Sequence, residues 1–281
     1  MTRLDEVPFV KGHGTGNDFI VIPDAAGVRD LTAEQVRWLC DRHRGLGADG
    51  VLRVVPTSRM EDYTDWSDIA EWFMDYRNAD GSVAQMCGNG ARVFVRYLYS
   101  AGLVTDREIT IGTRGGLRTT MLNDDGSITV DMGAAVATAE GQVSVGQRSW
   151  PAIGVAVPNP HAVVVVDDLD EAGDLRQPPA LAPADAFPEG ANVEFLKPQG
   201  DRHVAMRVHE RGVGATQSCG TGACAVAWAA RRIMEPEATG ESTYRVDVPG
   251  GTVLVTETAT GSLLLTGPAE LVARGTVLMP S

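Results

Sequence analysis

One pattern occurs twice in this chain, and it constrains the fold more than any other feature. The segments "MCGNGARVFVRYLYSAG" (86–102) and "SCGTGACAVAWAARRIM" (218–234) each set a cysteine before glycines and then run into apolar, helix-prone sequence. Cys87 and Cys219 lie 132 residues apart, and Gly88 with Gly220, Gly90 with Gly222 and Ala91 with Ala223 share that offset. Strand-like "WFMDYRN" and "VAMRVHE" precede them, placing Asn78 and Glu210 nine residues before their respective cysteines. Further upstream, "GNDFIVI" and "PNPHAVVVV" each put an asparagine, Asn17 or Asn159, before an apolar run. That second offset is 142, so the first half holds ten extra residues before Asn78, with the polar stretch 56–68 as the candidate insertion.

Alternating or continuous apolar runs at 19–22, 72–77, 128–132, 162–166, 204–209, 252–257 and 262–266 predict strands. Besides the two cysteine segments, 32–42 reads as a helix opened by a Thr32 cap, with Glu34 and Gln35 in its first turn. The fold class is α/β (α+β), built as two duplicated domains. Residues 1–132 carry Cys87 and 133–272 carry Cys219, while the strand within 273–281 can return to either.

Composition excludes several roles. Hydrophobic residues make up 43% of the 281 and charged residues 22%, which suits a globular chain with a sizeable core. The net charge of −13 argues against nucleic acid or an anionic membrane as partner, and no apolar run approaches a bilayer span. The acid-containing start "MTRLDEVPFV" lacks the apolar core of a secretory signal. Four cysteines without such a signal imply a reducing cytoplasm and free thiols.

A helix start offers unpaired backbone N–H groups and partial positive charge, and glycines there let a ligand approach closely. The dipole contributes roughly 0.3–2 kcal/mol, against about 1.4 kcal/mol per pKa unit, so each terminus can move a thiol to near neutral pH but not create a strong base unaided. Two such starts directed at one ligand can grip a carboxylate through the amides around Gly88–Asn89 and Gly220–Thr221. The adjacent α-carbon then lies between two sulfurs, one removing its proton as thiolate and the other returning a proton as thiol. The same amides stabilise the developing carbanion, so no electron-sink cofactor is required. Cys40 and Cys224 read as small buried hydrophobes. No CxxC or HExxH spacing is present, so no metal site is expected, and neither glycine turn ends in the Gly-Lys-Ser/Thr of a phosphate loop.

The motifs "KGHGTGNDFIVI", "CDRHRGLGADG", "YRNADGSVAQMCGNGAR", "PNPHAVV", "EGANVEF", "VHERGVGATQSCGTGACA" and "DVPGG" occur in that order across essentially the whole chain. In this the sequence resembles the diaminopimelate epimerases, cofactor-independent enzymes of lysine and cell-wall precursor synthesis. The resemblance implies two pseudo-symmetric domains, each a mostly antiparallel curved sheet around a central helix, with the active site in the cleft between them. It implies Cys87 and Cys219 as the acid/base pair. In the family picture the second-half cysteine deprotonates the LL isomer and the first-half cysteine the meso isomer. Gly88, Asn89, Gly220 and Thr221 would hold the reacting carboxylate; Asn17, Asn78, Asn159 and Asn192 would bind substrate; Glu210 and Arg211 would clasp its distal amino-acid end. Such a set suits the chemistry, since a guanidinium forks onto a carboxylate while carboxylate and amide oxygens accept from an ammonium. His161 is expected to be a core or supporting histidine.

Three positions depart from the family pattern. Gly50 stands where some members have glutamine, Val93 where many have a further cysteine, and 56–68 is an added acidic stretch. Two rival readings stay open: a racemase for another amino acid such as proline or hydroxyproline, and a catalytically silent amino-acid-binding or thiol redox-sensing protein. The expected partner is a small amino acid, diaminopimelate, and whether the chain forms a homodimer stays open.

Overall fold

The structure, a computed structural model, describes residues 4–280. The chain divides into two compact units, one running to Val130 and resuming at Pro268, the other spanning Asp131–Gly267. The second unit is thus inserted within the sequence of the first.

In the first unit β1 (Leu4–Gly14) and β2 (Asn17–Pro23) are joined by a two-residue turn. Both turn residues, Thr15 and Gly16, have positive φ (50° and 79°), the handedness that matches the twist of a hairpin. A parallel crossover then leads to β3 (Gly50–Pro56) through α1 (Ala33–Cys40). Its Thr32 and Gln35 form a reciprocal capping box. β4 (Trp72–Asn78) returns antiparallel, and the C-terminal strand Glu270–Pro280 pairs with β1 on the other side. The sheet order is C-terminal strand, β1, β2, β3, β4. Between β3 and β4 the added stretch coils into two 3-10 turns, Thr57–Arg59 and Glu61–Trp66. Tyr63 anchors them, its ring 4.7 Å from that of Phe73 and 5.1 Å from that of Trp66.

Helix α2 (Gly88–Ser100) packs against β1 to β4 and the C-terminal strand. It is buried around most of its circumference, with Phe94 and Leu98 fully inaccessible. Each such side chain contributes roughly 1.5–3 kcal/mol on burial. A meander, β5 (Glu108–Ile111), β6 (Arg118–Leu122) and β7 (Ile128–Ala134), follows.

The second unit contains β8 (Val136–Val145), β9 (Arg148–Val157), β10 (Asn159–Val165), β11 (Ala180–Ala182), β12 (Asn192–Gly200) and β13 (His203–Glu210). After the short β14 (Gly214–Ala215) come α3 (Gly220–Met234), β15 (Ser242–Val248), β16 (Gly251–Glu257) and β17 (Ser262–Gly267). The strands follow the order β11, β8, β9, β10, β12, β13, β15, β16, β17. α3 lies on this sheet, and its alanine-rich body is buried from Ala223 to Arg231.

The duplication read from the cysteines extends to topology. β1–β2–β3–β4–α2 and β9–β10–β12–β13–α3 follow one plan: antiparallel, parallel, antiparallel, then a buried helix. Phe19 pairs with Gly50 as His161 pairs with Asn192, so Gly50 occupies the position that Asn192 holds in the other half. β12 and β13 meet in a tight turn between Gly200 and His203, whereas β3 and β4 are separated by the added 3-10 turns. Every predicted strand run and all three predicted helices fall on elements of the matching type. Among the described residues, no helix is long and apolar enough to cross a membrane.

Candidate active site

Each cysteine is the N-cap of its helix. Cys87 and Cys219 have extended backbones (φ −141° and −119°), and their sulfurs accept from the N–H groups of Gly90 and Gly222 at 3.4 and 3.3 Å. Cys takes the place that Ser or Asp usually fills at a helix start, which leaves a sulfur at the positive end of the helix dipole. None of the four cysteines is in a disulfide; Cys40, Cys219 and Cys224 are buried and Cys87 is half-buried. Burial pushes the Cys40 thiol up to about 12, in keeping with an inert core position.

In the first unit the structure brings Cys87, Asn89 and Asn17 together. The Cys87 thiol lies 3.8 Å from Asn17 Oδ1, which also accepts from Asn89 Nδ2 at 3.2 Å. Asn17 Nδ2 in turn donates to Asp49 Oδ2 at 2.7 Å. Asp49 and Asp18 share Arg42, and Lys11 adds a contact to Asp18. Desolvation opposes ionisation of Asp18, yet hydrogen bonds and charge from Arg42 and Lys11 outweigh it and lower its pKa to about 2. Asn78 ends β4, and its Nδ2 donates to Ser82 Oγ at 3.0 Å across a tight turn. A Cβ at Gly50 would stand 2.6 Å from Arg77 O and 2.7 Å from the Tyr76 ring, so in this backbone the position admits only glycine.

In the second unit the sulfur of Cys219 lies 3.5 Å from Thr221 Oγ1. Asn192 Oδ1 accepts from the Arg211 backbone N–H at 2.9 Å, and Glu210 accepts from the Thr216 hydroxyl. The Arg211 guanidinium donates to Glu189 O at 2.6 Å. With Arg176, Glu189 and His209 it lines a cavity of about 380 Å³, within the usual size range of small-ligand sites. Asn159 reaches His161 Nε2 through Oδ1 at 3.2 Å, and His161 Nδ1 lies 2.7 Å from Glu194 Oε1. His161 and Glu194 are fully buried.

Glu194 is the residue that motif reading missed. The signal was present in "NVEFL", an acid at an inward position of an otherwise apolar strand. A Cβ added at Gly222 would stand 2.8 Å from Glu194 Oε1 and 3.3 Å from Cys219 Sγ, so carboxylate and sulfur flank one glycine.

The expectation that each helix start brings its thiol near neutrality is corrected for Cys219. Burial raises its pKa well above the free-thiol value, and the charges of Glu210 and Glu194 add to the rise; the Thr221 hydroxyl and Gly222 N–H oppose it without prevailing. The free protein therefore holds this sulfur as thiol. Since alkylation requires thiolate, Cys219 should react with iodoacetamide at pH 8 at least about tenfold more slowly than a free cysteine. Its rate should still be rising with pH after the free thiol has reached a plateau. Peptide mass spectrometry over a pH series measures this, and a plateau near neutral pH contradicts it.

The arrangement belongs to a structural class. The fold is shared with a solved hydroxyproline epimerase from Agrobacterium vitis, with a TM-score of 0.67 at 16% identity, covering 100% of this chain and 95% of that one. Within that class, the family model for diaminopimelate epimerase matches residues 9–138 and 154–272. The Streptomyces coelicolor diaminopimelate epimerase is 55% identical over 273 residues, covering 96% of this chain and 94% of the relative. The Mycolicibacterium gilvum diaminopimelate epimerase is 46% identical over 281 residues, covering 95% and 96%. The chain belongs to the diaminopimelate epimerase family.

Proposed function

We propose that this protein interconverts LL- and meso-diaminopimelate by moving a proton between Cys87, Cys219 and the substrate α-carbon, without pyridoxal phosphate. The observation that carries the reading is the pair of cysteine N-caps, each at the end of the same strand–helix plan and each followed by glycine amides. Inversion requires the two sulfurs at opposite faces of one α-carbon. One takes the proton as thiolate; the other, as thiol, supplies a proton from the far side. Amides of Gly88, Asn89, Gly220 and Thr221 receive the α-carboxylate and stabilise the charge that builds up as the carbanion forms.

The raised pKa of Cys219 fits the proton-donating half of such a cycle. Its turn as base starts from the thiolate, with the shared proton on Cys87 instead, a state favoured when a substrate ammonium brings positive charge beside the Cys219 sulfur. Asn17, Asn78, Asn159 and Asn192 contribute polar contacts, and Glu210 with Arg211 recognises the distal ammonium and carboxylate. A substrate lacking that carboxylate would leave the Arg211 fork unmatched and is disfavoured accordingly. The reaction serves lysine and peptidoglycan-precursor synthesis in the cytoplasm.

Incubating LL-diaminopimelate with the enzyme in heavy water tests the reading. The meso product should carry one solvent deuterium at the inverted carbon. Turnover with retention of the original hydrogen, or no turnover of diaminopimelate while proline is racemised, overturns it.

A further inference from the structure

Glu194 is neither acid nor base in the two-cysteine cycle, yet it is fully inaccessible, and its Oε2 has no hydrogen-bond partner. A lone carboxylate is costly in such a place. Strand alternation sets its surroundings. Asn159 and His161 on β10 share a face, and the register pairs His161 with Asn192 and Val163 with Glu194 on β12. Glu194 therefore points to the side of the sheet that carries Asn159, His161 and Asn192, beneath the start of α3.

Both ring nitrogens of His161 face oxygen: Nδ1 faces Glu194 Oε1 at 2.7 Å and Nε2 faces Asn159 Oδ1 at 3.2 Å. An amide oxygen only accepts, so Nε2 carries a hydrogen. The Nδ1–Oε1 contact likewise needs a hydrogen between nitrogen and oxygen, which ties the ring to Glu194. The Asn159 oxygen is then committed to His161, leaving its NH2 group as the face offered to a ligand. Asn192 is fixed in the same sense, because its oxygen is taken by the Arg211 backbone N–H, which can only donate.

We infer that Glu194 is a positioning residue that acts through His161 to turn the Asn159 amide NH2 toward the ligand, so that Asn159 recognises a carboxylate oxygen rather than an ammonium. The ligand's being an amino acid rests on the function proposed above; the proton arrangement does not.

The test is nitrogen NMR of protein labelled at histidine ring nitrogens, recorded without substrate, with the His161 signals assigned by a His161→Gln variant. Wild type should show Nε2 protonated. Glu194→Gln, whose amide can donate to Nδ1, should keep that signature, and Glu194→Leu should lose it as the ring takes up a mixture of tautomers. Paired kinetics should give about a tenfold rise in KM for Glu194→Leu, largely restored in Glu194→Gln. Should the leucine variant not fold, the wild-type and glutamine spectra decide alone. A bare Nε2 in wild type overturns the inference whether or not the enzyme acts on diaminopimelate, and so does a leucine variant with unchanged signals and KM.

Discussion

Cys87→Ala and Cys219→Ala are each expected to slow LL-to-meso interconversion by at least about 10³-fold, in both directions, with the fold retained. General acid–base catalysis contributes roughly 10² to 10⁴-fold, and in the proposed cycle each cysteine is base in one direction and acid in the other. Removing either sulfur therefore removes a partner from both directions at once. A factor of 10³ corresponds to about 4 kcal/mol of activation free energy. Each sulfur caps its helix by accepting a weak N–H contact from Gly90 or Gly222, so alanine should cost no more than about 1 kcal/mol of helix stability. Chiral separation of product measures the rate, and circular dichroism checks the fold. A folded variant at either position that retains a tenth of wild-type turnover removes that cysteine from the cycle. Alanine at both positions should be no slower than the worse single variant, since the two act as one unit.

The second large effect concerns stability. Asp75, on β4 three residues before Asn78, is 1% exposed and accepts from Arg77 Nε at 2.9 Å, Arg114 Nη1 at 2.7 Å and Arg53 Nη1 at 3.3 Å. Asp24 completes the cluster against Arg53 at 2.8 Å. Asp75→Ala removes the carboxylate that three guanidiniums share, leaving only Asp24 to Arg53 and the exposed Asp30 to Arg77, and should destabilise the protein by about 3–5 kcal/mol, a fall in Tm on the order of 10 °C. Desolvation disfavours the Asp75 carboxylate, but Arg77 and Arg114 outweigh it and hold its pKa below the usual carboxylate value. A depressed folded-state pKa means stability present above the unfolded pKa and lost as pH falls through the folded one. The gap in Tm between wild type and Asp75→Ala should accordingly be widest near neutral pH and close on acidification below pH ~4. Scanning calorimetry at a series of pH values checks both the size and the trend, and a constant gap would refute the charge argument.

The parts of the fold set by local pattern were legible before any coordinates. The Thr32 capping box, the two cysteine-led helices and the alternating strands each announce themselves within about ten residues. The duplication, too, was written in spacing. The pairing of β1 with a strand some 270 residues later was not readable, because no local pattern names a distant partner and "ELVARGTVLMP" alternates without saying which edge it joins. At the site, motif order pointed to the cysteines and asparagines but not to Glu194, whose meaning depends on lying opposite His161 across a parallel pair. The Cys219 thiol was misjudged for the same reason. A helix dipole can be inferred from sequence, whereas desolvation and two carboxylates from separate strands exist only after folding.

The C-terminal strand also has a consequence for biosynthesis. β1 leaves the ribosome before its partner from Glu270 to Pro280, with the whole second unit made in between. Until that partner strand is made, the nascent first unit exposes an unzipped row of peptide groups, open to chaperones or to mispairing with a neighbouring polysome product. The inserted second unit, complete at Gly267, can mature ahead of the unit that began first.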